Sequence, residues 1–87
     1  MAYKLRFKRS VARGLQQLER RDHERVLARI EAELVVRPEN HASLKGDYAG
    51  LRRLRVGRFR VIYAILDDEV VVLRVGHSKE VYRRPSP

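Results

Sequence analysis

The sequence predicts an α+β domain of order β-α-α-β-β-β, a small and mainly antiparallel sheet with a two-helix hairpin packed on one face. Three observations carry that prediction. Tyr3, Leu5 and Phe7 alternate with Lys4, Arg6 and Lys8, the period of a half-buried strand. Two segments between Ser10 and Pro38 repeat their apolar residues at helical spacing. The rest of the chain reads as a tight hairpin followed by the valine-rich run Val70–Val75.

Each element has a local reason. Ser10 is placed to cap a first helix from Val11, with Leu15 and Leu18 turned inward and Gly14 costing about 1 kcal/mol of helicity against alanine. After a break around Glu19-Arg20-Arg21, Asp22 is placed to cap a second helix. Val26, Leu27, Ile30 and Leu34 form its stripe, Glu24 suits the positive end of its dipole, and Arg37-Pro38 stops it. Pro38 to Gly50 reads as a loop held to the core by Leu44. Leu51 to Tyr63 reads as two strands joined at Gly57-Arg58, where glycine at the first central position suits a type II′ turn. Ile65 and Leu66 extend the second strand, and Asp67-Asp68-Glu69 turns it back. Val70–Val75 is apolar on nearly both faces, as a central strand is, and Gly76-His77 is expected to leave the sheet.

The totals narrow the function. With 87 residues the chain is one domain, 1–87, with a small core. It has no cysteine, and His23, His41 and His77 have no metal-ligand spacing, so neither a disulfide framework nor a metal site is expected. No apolar run reaches membrane-spanning length and the N-terminus lacks a signal-peptide core, which predicts a cytoplasmic protein with no membrane partner. A net charge of +9 on so short a chain calls for a polyanionic partner, nucleic acid or an acidic protein segment.

The chemistry is expected on the hairpin. Arg53 and Arg55 point away from Leu54 and Val56, and Arg60 points away from Phe59. No phosphate-binding glycine loop, dinucleotide fingerprint or zinc-peptidase motif is present, and the carboxylates sit mostly on the second helix and the acidic turn. Nuclease chemistry on this face is therefore expected to be metal-free and to need no cofactor. Such cleavage needs a group that takes the 2′-hydroxyl proton, cations for the charge developing on phosphorus, and an acid for the 5′-oxygen. Arg53, Arg55 and Arg60 supply cations but not a base, since guanidinium stays protonated. Proton carriers are sought among Lys45, His77, Lys79 and Tyr82. Arg52, Arg58 and Arg83, with Lys45 and Arg55, complete the expected RNA-binding set.

Leu44-Lys45-Gly46, the run Leu51 to Tyr63, Val75-Gly76-His77 and Glu80-Val81-Tyr82-Arg83 together resemble the RelE/ParE toxin superfamily over almost the whole chain. The RelE branch implies a ribosome-dependent endoribonuclease that cuts messenger RNA, held inactive in a hetero-oligomer by an acidic RelB-like antitoxin. On that resemblance Arg53 matches a position where known members carry a lysine base, and Arg55 matches a second basic hairpin residue. Arg60 matches the arginine that stabilises the phosphate in the transition state, and Tyr82 the C-terminal tyrosine that stacks on or orients the RNA. Leu51 and Ser78 stand where some members are basic, with Lys79 beside the second gap. Arg53 is then expected to act as an electrostatic clamp, with His77 or Lys79 moving protons. Two other readings stay open: a ParE-like toxin that inhibits DNA gyrase by binding, and a catalytically silent basic module. A basic toxin with apolar grooves beside its helices also suits an acidic, partly disordered partner that folds around it.

Overall fold

The computed structural model describes residues 2–77; Lys79, Tyr82 and Arg83 lie outside them. The strands are β1 (Lys4–Phe7), β2 (Ala42–Ser43), β3 (Arg52–Val56), β4 (Phe59–Leu66) and β5 (Glu69–His77), and the helices are α1 (Arg9–Gln16) and α2 (Arg20–Leu34). They form one sheet of order β1-β5-β4-β3-β2. Only the β1–β5 pair is parallel. This is the α+β architecture expected, with one strand more: β2 is a two-residue edge strand inside the stretch read as loop.

Both helix starts lie earlier than their capping residues implied. The Lys8 amide is still bonded to the Val72 carbonyl at the end of the β1–β5 ladder, while the Lys8 carbonyl already accepts from the Val11 and Ala12 amides. Strand thus passes into helix at one residue, and Ser10 lies inside α1 rather than capping it. Glu19 holds the N-cap position of α2, so Asp22 falls in the first turn, where its charge faces the helix dipole. The two helices are joined by the His23 imidazole, whose Nδ1–H donates at 2.7 Å to the Leu15 carbonyl, which also accepts from the Leu18 amide at 3.2 Å past the end of α1.

The core lies between the helices and one face of the sheet. Val11, Leu15, Val26, Ile30 and Leu34 pack against Leu54, Val56, Phe59, Val61, Tyr63, Val70 and Val72. Burying each aliphatic side chain contributes roughly 1.5–3 kcal/mol. Tyr3, just before β1, and Leu5 and Phe7 within it pack against this core. Tyr63 brings a hydroxyl into it, which donates to the Pro38 carbonyl at 2.5 Å. Burial pushes the Tyr63 phenol up to about 12; the Arg52 guanidinium pulls the other way and the Glu39 carboxylate adds to the rise.

The β3–β4 hairpin closes as expected. Val56 pairs with Phe59, and Gly57 has φ +60° while Arg58 stays at negative φ, the pattern of a type II′ turn. Gly57→Ala should lower stability by about 1–2 kcal/mol, because an L-residue is strained at that φ. A Cβ there would also lie 2.7 Å from the Arg25 guanidinium, but that flexible tip can swing aside. Urea denaturation checks the figure, and an unchanged midpoint would contradict the turn assignment.

Candidate nucleic-acid interface

Pairing register decides which side chains share the face that the helices leave open. In an antiparallel pair, directly opposed residues point the same way. Leu54 opposes Val61 and Val56 opposes Phe59 on the core side. Arg55 opposite Arg60, and Arg53 opposite Ile62, therefore lie on the other side. Two arginines placed directly across a ladder repel, a penalty of roughly 0.2–1 kcal/mol. The hairpin carries that penalty one pair from its turn. The Arg60 guanidinium is steadied by donating to the carbonyls of Gly57, at 3.3 Å, and Phe59, at 3.1 Å. Those bonds hold a full positive charge beside the turn.

One irregularity in β5 changes the membership of this face. Ile62 pairs with Arg74 but Tyr63 pairs with Val72, so Leu73 is an extra residue without a partner. Such a bulge shifts the alternation by one. Val70 and Val72 face the core before it, and Val75 opposite Val61 faces the core after it. Arg74 is thereby turned onto the arginine face, next to Ile62 and in line with Arg53. Its guanidinium carbon lies 5.7 Å from the centre of the Tyr48 ring, on the short 3₁₀ turn Gly46–Tyr48. Sequence reading passed over both residues. Strict alternation from Val70 would have driven the Arg74 charge into the core, and that conflict was the available signal.

The same bulge moves His77 away. Gly76 and His77 remain in β5, paired with Arg60 and Phe59, rather than leaving the sheet. His77 shares the side of Phe59, with ring centroids 4.8 Å apart, and does not stand with the arginines. Arg52 is also placed elsewhere: it opposes Tyr63, and its guanidinium donates to the carbonyls of Glu39, at 3.1 Å, and His41, at 2.8 Å. It ties down the chain after Pro38. Arg58 is exposed in the turn, and Lys45 is exposed at the start of the loop that carries Tyr48. The structure thus brings Arg53, Arg55, Arg60 and Arg74 to one face, flanks them with Lys45, Tyr48 and Arg58, and leaves Arg52 and His77 off it.

Among the described residues no three His, Cys, Asp or Glu side chains come together as a metal would require. No helix among them is long and apolar enough to cross a membrane. Four fixed cations on a rigid sheet can hold a phosphodiester chain by charge-assisted hydrogen bonds, with the planar forks matching phosphate oxygens.

Comparison with known proteins places the fold. The family described as the ParE toxin of type II toxin–antitoxin systems, parDE, matches residues 5–82. The toxin–antitoxin complex RelBE2 from Mycobacterium tuberculosis is similar at 31% identity and a TM-score of 0.82, over 88% of this chain and 99% of that one. The archaeal RelE–RelB complex from Pyrococcus horikoshii follows at 27% identity and 0.73, over 92% and 99%. The isolated E. coli RelE toxin shares the fold at 24% identity and a TM-score of 0.72, over 93% of this chain and 92% of that one. Among curated proteins none matches. The chain, with its mixed sheet, two helices and arginine face, belongs to the RelE/ParE superfamily and is a toxin of the type II toxin–antitoxin class.

Proposed function

We propose that this toxin is a ribosome-dependent endoribonuclease of the RelE kind, cutting messenger RNA during translation in the cytoplasm and silenced by an acidic RelB-like antitoxin. The observation that carries the reading is the opposed pair Arg55 and Arg60, joined by Arg53 and Arg74 on the same face. Like charges held together at a cost to the fold fit a site whose ligand is an anion. The similar solved structures include RelE toxins bound to RelB antitoxins, which supports the same branch and the same kind of partner.

In this reading Arg60 and Arg55 stabilise the charge that builds on phosphorus as a 2′-oxygen attacks it and the 5′-oxygen leaves. Arg53 clamps the neighbouring phosphate; it is not the base, because a guanidinium keeps its proton at any working pH. Tyr82 orients the RNA, and Lys45, Arg58 and Arg83 hold its backbone. Proton transfer falls to Lys79, since His77, still paired in β5, faces the helix side with Phe59. Lys79→Ala should therefore alter the pH–rate profile on ribosome-bound message while His77→Ala leaves its shape unchanged; the reverse result would return the role to His77.

A second reading keeps the fold and changes the target. The matching family is described by its ParE toxin, which favours binding to DNA gyrase without RNA cleavage. Primer extension on message in a translating extract, run beside a gyrase supercoiling assay, separates the two. New 5′ ends with supercoiling intact support the nuclease; inhibited supercoiling with intact message overturns it.

A further inference from the structure

Arg74 has an aromatic partner, Tyr48, whose ring the phosphate chemistry does not use. A phosphate clamp needs charge alone, and Arg53, Arg55 and Arg60 already provide it on two strands. Arg74 differs because the Leu73 bulge delivers it to the face and because its guanidinium lies over an aromatic ring, 5.7 Å from the centroid, within cation–π range. Tyr48 is half-buried and sits on a turn whose backbone is closed by the Leu44 amide bonding to the Leu51 carbonyl at 2.9 Å and the Leu51 amide to the Tyr48 carbonyl at 3.1 Å. These bonds set the Tyr48 backbone beside the start of β3. The pair lies in line with Arg53 across Ile62, which is fully buried although it lies on the face away from the helices. Unpaired RNA bases are bound by aromatic rings and by guanidinium planes, whose flat surfaces accept the flat base.

We propose that Arg74 and Tyr48 are a base-stacking subsite, receiving one unpaired nucleobase next to the phosphate held by Arg53. The proposal rests on the nuclease reading for its ligand, single-stranded RNA, but makes a claim that phosphate contacts alone do not. Arginine–phosphate binding is blind to the base. A stacking subsite is not, and it gives the toxin a means of favouring one nucleotide, purines above pyrimidines, at one position along the message.

The test separates base from backbone without requiring cleavage. Binding of the full-length protein to a short single-stranded RNA is measured by fluorescence anisotropy, against the same RNA with abasic sites at successive positions. One abasic position should weaken binding to the wild-type protein about tenfold, the range expected for losing one stacked base. Tyr48→Phe should keep that sensitivity, since stacking needs the ring and not the hydroxyl. Tyr48→Leu should lose it, as should Arg74→Lys, which keeps the charge and hence the salt dependence. Wild-type protein that binds abasic and base-bearing RNA equally would overturn the proposal, as would Tyr48→Leu and Arg74→Lys proteins that retain full sensitivity. Primer extension on wild-type protein reports separately on the nuclease reading, so cleavage with no base sensitivity defeats only the subsite, and base sensitivity with no cleavage defeats only the nuclease.

Discussion

Arg60→Ala should reduce cleavage of ribosome-bound message by roughly 10²–10³-fold, the loss expected when a preorganised donor to a transition-state anion is removed. The fold should survive, because among the described residues Arg60 bonds only the local carbonyls of Gly57 and Phe59. A companion variant makes the interpretation sharper. Arg55→Ala removes the opposed cation while leaving its backbone carbonyl, which accepts from Arg29 at 3.4 Å, in place. Relief of like-charge repulsion should stabilise that protein by about 0.2–1 kcal/mol, more at low salt than at high salt. Its activity should fall. A variant that gains stability as it loses function is the signature of a face shaped for an anion. Urea titrations at two salt concentrations, beside primer extension, check both halves; an active Arg60→Ala protein would remove Arg60 from the chemistry.

Alkaline pH should weaken the wild-type protein through Tyr63. Its folded-state phenol is raised to about 12 by burial, against an ordinary value of 10.0. Between those values the native state keeps a proton that the unfolded chain has lost. The contribution of Tyr63 is thus complete below pH 10 and disappears as pH rises toward 12. Two pH units correspond to roughly 3 kcal/mol. Tyr63→Phe should abolish this decline. At neutral pH the same substitution should cost about 1–2 kcal/mol, because the Pro38 carbonyl loses its donor. The stabilities of the two proteins should therefore approach one another above pH 10 and cross by about pH 12, read by urea denaturation at each pH. Curves that stay parallel would contradict the burial of the phenol.

Much of the fold was legible because it rests on short-range alternation. The Gly57 turn, the core partners Leu54, Val56, Phe59 and Val61, and the outward Arg53, Arg55 and Arg60 all follow from a period of two on either side of one glycine. The helix starts were less legible. Ser10 and Asp22 are good capping residues, but the end of the β1 ladder fixes where α1 begins, and that is a property of the strand it pairs with. β2 has only two residues, too few to show a period.

The site was half legible for a single reason. The arginines on β3 and β4 obey alternation, whereas Arg74, just beyond Leu73, does not. One bulged residue exchanges the directions expected of Arg74 and His77, bringing an unforeseen cation to the face and removing the expected proton carrier. Arg52 was misplaced by chemistry rather than by period: an arginine beside two others looked like part of the same patch, yet its partners are the loop carbonyls of Glu39 and His41.

The central claim is that fixed guanidinium groups promote attack by the message's own ribose. A message carrying one 2′-deoxynucleotide on the 5′ side of the preferred cleavage position, translated in the presence of the wild-type toxin, tests it directly. Cleavage should vanish at that phosphate and persist at unmodified positions elsewhere in the same molecule. Scission continuing undiminished at the deoxy position would mean that some other nucleophile does the work.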